Sequence, residues 1–100
     1  MNVASEATFE LAPGQFDRIA KALADPRRFA ILESVASKSD CPYQGICCAF
    51  PITKATVSHH MKELYNAGLI DTVREGQTMV ARFRPEVMAA YRSELVRRLG

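Results

Sequence analysis

The sequence predicts a mainly α fold carrying one β-hairpin, in the order ααααββα. Three observations predict it: four apolar runs at helical spacing between Gln15 and Leu64, a change to alternation after Gly68, and a return to helical spacing after Pro85. Residues 15–100 form a single domain. Residues 1–14 have no sustained periodicity and end in the structure-breaking pair Pro13-Gly14, which predicts a flexible N-terminal arm.

Each element follows from its own residues. Phe16, Ile19, Ala20 and Leu23 fall at i, i+3, i+4 and i+7, one face of a short first helix. Asp25 and Pro26 end it and begin the next, because an aspartate oxygen caps free backbone N–H groups and proline suits a first helical position that needs none. Phe29, Leu32, Val35 and Ala36 give the second helix its buried face, which fades into the polar run Ser37-Lys38-Ser39-Asp40. Tyr43, Ile46 and Phe50 line a third, short helix over Tyr43 to Phe50, and Pro51 forces a turn after it. Thr53 caps a fourth helix, whose inward face is Val57, Met61 and Leu64 and whose stop is Gly68, the residue that takes a left-handed conformation without strain. Leu69 to Arg74 and Thr78 to Arg84 are the strands, Met79, Ala81 and Phe83 alternating against Thr78, Val80 and Arg82, with Glu75-Gly76-Gln77 as the turn. Pro85 opens the last helix, in which Met88, Tyr91, Leu95 and Leu99 recur along one side.

Size and composition narrow the function. A 100-residue chain buries only a modest share of its apolar surface alone, so a partner chain is expected. The apolar side of the last helix, with little chain left to cover it, reads as the seam of a homodimer. No stretch approaches the ~20 apolar residues that span a bilayer. The first residues carry two glutamates where a secretory signal is apolar, so the cytoplasm is the expected location and no membrane partner is expected. Three cysteines, an odd number, argue against a disulfide framework. A net charge of +2 is only mildly basic, so a nucleic-acid partner must be argued from where the charges lie.

A short helix, a turn, a longer helix and a hairpin make a winged helix-turn-helix, which places its second helix in the DNA major groove and its hairpin on the flanking backbone. With Val57, Met61 and Leu64 turned inward, the opposite arc carries Ala55, Ser58, His59 and Lys62, with Lys54 and Thr56 exposed in the first turn. Small donor-rich side chains allow close approach to bases and phosphates, and a helix N-terminus favours phosphate. Arg74, Gln77, Arg82 and Arg84 supply a polar, mostly basic wing. The expected function is a sequence-specific DNA-binding transcriptional regulator. The alternative is a winged-helix protein-interaction module without DNA binding, which would show apolar residues on that arc.

KALADPRRFAILESV, then TKATVSHHMKELYNAGLI, then REGQTMVARF resemble the ArsR/SmtB family of small dimeric bacterial repressors over roughly residues 15–99. The resemblance implies that the fourth helix is the recognition helix, that the hairpin is the wing, and that the first and last helices pair two subunits on a palindromic operator. Carried onto matching positions, it implies DNA contact for Thr53, Lys54, Thr56, Ser58, His59 and Lys62, with Arg74 and Gln77 at the wing tip. It also implies release from DNA by an ion or oxidant. The cysteine pair that many arsenic and metal sensors of the family carry at the start of the third helix falls on Pro42 and Gln44 here, and the last helix offers only Glu86 and Glu94 where zinc sensors carry acidic and histidine ligands.

Cys41, Cys47 and Cys48 remain as a candidate thiol sensor. Three thiolates bind a soft ion such as arsenite, and vicinal cysteines on an exposed helix face are open to oxidation. The competing reading makes Cys47 a small core residue and Cys41 and Cys48 incidental. Helix geometry exposes Cys48, leaves Cys47 intermediate and places Cys41 in the preceding loop, within reach of the other two. No metal site is assigned to His59 and His60, because adjacent helical residues diverge by about 100° and the chain has no further histidine; His60 is expected to be packed and hydrogen-bonded. An enzyme is not expected: no acidic group orients a histidine beside Cys48, and no glycine-rich oxyanion loop accompanies it.

Overall fold

The computed structural model describes residues 9–100, so residues 1–8 of the expected arm lie outside the described residues. The elements are α1 (Gln15–Leu23), α2 (Pro26–Ala36), β1 (Cys41–Pro42), α3 (Tyr43–Ala49), α4 (Lys54–Asn66), β2 (Ile70–Glu75), β3 (Thr78–Phe83) and α5 (Pro85–Leu99). Ahead of α1, Phe9 and Leu11 lie half-buried against the core.

The helix ends are built by the residues that predicted them. Asp25 Oδ1 accepts the Arg28 N–H at 3.0 Å, with Pro26 in the first turn of α2. Thr53 Oγ1 accepts the Thr56 N–H at 3.1 Å and starts α4. At the other end of α4, Gly68 takes φ 81°, the Leu69 N–H reaches back to the Leu64 carbonyl at 3.0 Å and the Gly68 N–H to the Tyr65 carbonyl at 2.9 Å. Those two bonds and the left-handed glycine are a Schellman stop. In the hairpin Glu75 pairs with Thr78, so the turn is the two residues Gly76-Gln77, one shorter than expected. Gly76 has φ 64° at the first central position, the backbone sign that a type II′ turn requires. The ladder runs on to Arg84, whose N–H donates to the Leu69 carbonyl at 2.9 Å.

One strand was not foreseen. Cys41 and Pro42 pair antiparallel with Ala81 and Val80, giving a three-stranded sheet in the order β1-β3-β2. Two residues are too few to show alternation, and proline is tolerated because the strand lies at an edge. Val80, which alternates with Ala81 along the strand, is like it buried, only 3% exposed, on the central strand where α2 and α3 pack.

The core gathers Ile19, Ile31, Leu32, Val35, Ile46, Val57, Met61, Leu64, Leu69, Ile70, Ala81 and Val87. Leu32 and Val35 bury as the spacing required, but α2 turns Ile31 inward and leaves Phe29 42% exposed, with Ala36 also exposed. In α1 the buried residues are Gln15, Ile19 and Ala22, while Ala20 faces out. Periodicity places a helical face, yet one residue step is about 100° of rotation, and the neighbouring elements decide which flank is covered.

Candidate nucleic-acid interface

Apart from Thr56, the fourth helix presents the surface its sequence predicts. Val57, Met61 and Leu64 are at most 1% exposed, which fixes the rotation of α4 and turns Lys54, Ala55, Ser58, His59 and Lys62 outward, with Thr56 half-buried. Among the described residues Lys54 and Lys62 enter no ion pair, so their charges are free to meet phosphate. Thr53 is exposed, and its hydroxyl is engaged as the helix cap, lying 3.0 Å from the Thr56 hydroxyl.

The wing folds back beside the N-terminal turns of this helix. A cleft of about 270 Å³ is lined by Lys54, Val57 and Ser58 of α4, Tyr43, Gln44 and Cys47 of α3, and Gln77, Thr78 and Met79 of the hairpin. Lys54, Ser58 and Gln77 are thus brought together, while Gln44 and Thr78, which sequence reasoning passed over, complete the rim. Exposed Arg74 enters no ion pair among the described residues. The other two wing arginines are less free than their positions suggest. Arg82 Nε lies 2.6 Å from Asp40 Oδ1 and its Nη2 3.1 Å from Glu75, and the Asp40 bond raises its pKa. Arg84 Nε lies 3.0 Å from Glu86 and 3.9 Å from Asp71. Asp40 is 42 residues from Arg82, beyond any local sequence signal.

His60 is packed and hydrogen-bonded, as expected. It is 7% exposed, and its Nδ1 lies 3.2 Å from Arg28 Nη1. A guanidinium only donates, so Nδ1 is the acceptor and the imidazole is neutral in this arrangement. Arg28 also donates from Nε to the Ala22 carbonyl at 2.9 Å, joining α1, α2 and α4. Burial pushes the His60 pKa below 6.5; Asp25 opposes that shift, and Arg28, His59 and Arg27 add to it. A histidine with a lowered folded pKa contributes stability that is complete above its unfolded pKa and is lost as pH falls toward the folded one. Urea midpoints are therefore expected to hold above 6.5 and fall below it, and less steeply in His60→Gln than in wild type. Coincident pH profiles would remove His60 as the cause.

The three cysteines separate. Cys41 does not lie in a mobile loop beside the others: it is 2% exposed, forms β1 against Ala81, and burial raises its thiol pKa. Sheet pairing holds it there. Cys47 is half-buried at the cleft and Cys48 is exposed, as helix geometry predicted. Among the described residues no group of three histidine, cysteine or acidic side chains is placed to hold a metal ion, and no helix is long and apolar enough to cross a membrane.

Comparison with known proteins agrees with this geometry. Residues 25–72, from the cap of α2 into β2, match the model of a bacterial regulatory protein family, the arsR family. No protein of curated function matches the sequence. Among solved structures, an ArsR-like transcriptional regulator from Rhodococcus sp. RHA1 superposes with a TM-score of 0.77 at 20% identity, over 84% of this chain and 78% of that one. The homodimeric winged helix-turn-helix DNA-binding domain of a possible ArsR-family regulator from Mycobacterium bovis is 29% identical, with a TM-score of 0.70 over 82% and 76% of the two chains. Reduced HlyU from Vibrio cholerae is 26% identical, with a TM-score of 0.66 over 87% and 90%. A helix-turn-helix that matches the arsR family model over residues 25–72 and a wing beside it give the chain the winged helix-turn-helix fold of these ArsR-family regulators.

Proposed function

We propose that the protein acts in the cytoplasm as a non-catalytic homodimer that binds a palindromic operator and represses transcription until an inducer displaces it. The observation that carries this reading is the outward arc of α4, where hydroxyl groups, an imidazole and two lysines without ion-pair partners among the described residues stand with no large apolar side chain among them, Lys54 and Ser58 lining the wing cleft. Lys54, Lys62 and Arg74 neutralise phosphates, Thr53 and Thr56 hold the first turn close to the backbone, and Ser58, His59 and Gln77 reach base edges or flanking sugar. A dimer fits the last helix, where Val96 and Leu99 are 66% and 81% exposed and Leu95 is half-buried. The Mycobacterium bovis relative, itself homodimeric, supports the same assembly.

Cys47 and Cys48 are the thiols open to an inducer. Cys47 borders the cleft that contains Lys54, Ser58 and Gln77, so arsenite or an oxidant acting there changes the surface that meets DNA. The test is fluorescence anisotropy on a palindromic duplex recovered by footprinting upstream of the protein's own gene. Tight binding that weakens with salt, at about −0.9 in log–log slope per phosphate neutralised, is the expected result. Arsenite, or separately a mild disulfide-forming oxidant, then releases wild type and leaves Cys47→Ser/Cys48→Ser bound, whereas Cys41→Ser still releases. Equal affinity for random duplex would refute the operator, and equal release from all variants would refute the thiol inducer.

A further inference from the structure

The C-terminal end of the recognition helix is held by a side chain from another helix. In the Schellman stop the Leu69 and Gly68 N–H groups occupy the Leu64 and Tyr65 carbonyls. The Ala67 carbonyl, on a residue that is 0% exposed, takes its hydrogen bond instead from Gln15 Nε2 at 3.0 Å. Gln15 is the first residue of α1 and is itself buried, 9% exposed. The other end of its amide is also used, since Oε1 accepts the Ala12 N–H at 2.8 Å while the Gln15 N–H donates to the Ala12 carbonyl at 3.0 Å. Gly68 makes the approach possible: a Cβ there would fall 2.4 Å from Gln15 Nε2.

This bond differs in kind from the apolar packing that holds α4. Val57, Met61 and Leu64 anchor the helix by apolar contact, which is non-directional and tolerates small rotations and slides. Among the described residues, side-chain hydrogen bonds from elsewhere in the chain reach α4 and its stop at two places, His60 in the middle and Ala67 at the end. The end bond runs to the start of α1.

We propose that Gln15 is a positioning residue that sets the recognition helix against α1 and thereby fixes the separation of the two recognition helices in the dimer. The proposal rests on the reading that α1 and α5 pair the subunits on a two-fold operator. Two half-sites are engaged together only when that separation matches the ~34 Å repeat of the duplex, so a small change in the pose of α4 is felt twice.

The experiment varies half-site spacing base pair by base pair and measures anisotropy at a temperature where circular dichroism shows every variant folded. Gln15→Met keeps the length of the side chain and removes the amide. It is expected to bind a single half-site as wild type does, to bind the best palindrome about tenfold more weakly, and to lose the preference for one spacing. Gln15→Glu supplies a readout that a merely structural role does not move. At about pH 8 its carboxylate cannot donate to the Ala67 carbonyl and it behaves as the methionine variant; toward about pH 5 a carboxyl whose pKa burial at this position raises takes up its proton and donates again, and the spacing preference returns, with Gln15→Met as the control that shows no return. A spacing profile unchanged in both variants overturns the proposal, as does equal weakening on half-site and palindrome. A wild type indifferent to spacing overturns the two-fold reading beneath it.

Discussion

Exchanging Val96 and Leu99 for glutamate is expected to convert the protein to a monomer and to abolish tight binding to a palindromic duplex. Both residues are already exposed in the single chain, at 66% and 81%, and neither joins the core cluster, so the domain folds without them. Leu95 is a poorer site for the same test, because it is half-buried within the chain and a charge there mixes misfolding with dissociation. In a dimer seam an ionised carboxylate must leave water without a partner, at a cost of several kcal/mol for each group. Loss of the second subunit turns an intramolecular second contact into an independent one, which removes a factor of roughly 10² to 10⁴ from affinity. Sedimentation should show the monomer, thermal unfolding of a dilute sample should be little changed, and affinity for a single half-site should persist. A variant that remains dimeric would place the seam elsewhere on the surface.

Charge reversal on the recognition helix is the second large effect. Lys54 and Lys62 stand on the exposed arc without ion-pair partners among the described residues, so each is available to release a counterion from DNA. A slope of about −0.9 per contact makes each one worth about a factor of ten near 0.1 M salt, so Lys54→Glu/Lys62→Glu should weaken binding to all sequences by roughly a hundredfold or more and shallow the salt dependence by about two contacts. His59→Ala and Ser58→Ala should act differently, costing ~1 to 3 kcal/mol and relaxing preference at particular base pairs. Arg82→Ala is the internal comparison. Its guanidinium is already occupied by Asp40 and Glu75, and its removal should leave the slope nearly unaltered. An unchanged slope in the double-glutamate variant would exclude α4 as the phosphate-binding face.

These expectations were open to sequence reasoning to different degrees. Asp25, Pro26, Thr53, Gly68 and Pro85 set the ends of their helices through backbone groups within about one turn, a range at which residue type alone is decisive. Val57, Met61 and Leu64 fixed the rotation of α4, and with it the exposure of Lys54, Ser58, His59 and Lys62. The change of period after Gly68 marked the wing. Most of the candidate nucleic-acid face is therefore local information, carried by a helix whose register follows from its own apolar spacing.

What only the tertiary structure decided involves residues distant in the chain. Cys41 left the candidate thiol set because β3 returned to pair with it, and Arg82 left the free charge of the wing because Asp40 lies beside it in space. Phe29 lost its expected place to Ile31 because the elements around α2 cover one flank and leave the other open. Gln15, a polar residue at a helix start with no motif around it, is buried on a carbonyl 52 residues away. Caps, turns and apolar periods act over a few bonds and are written in adjacent residues, whereas burial, ion pairing and the satisfaction of a buried carbonyl depend on which surfaces the folded chain brings together.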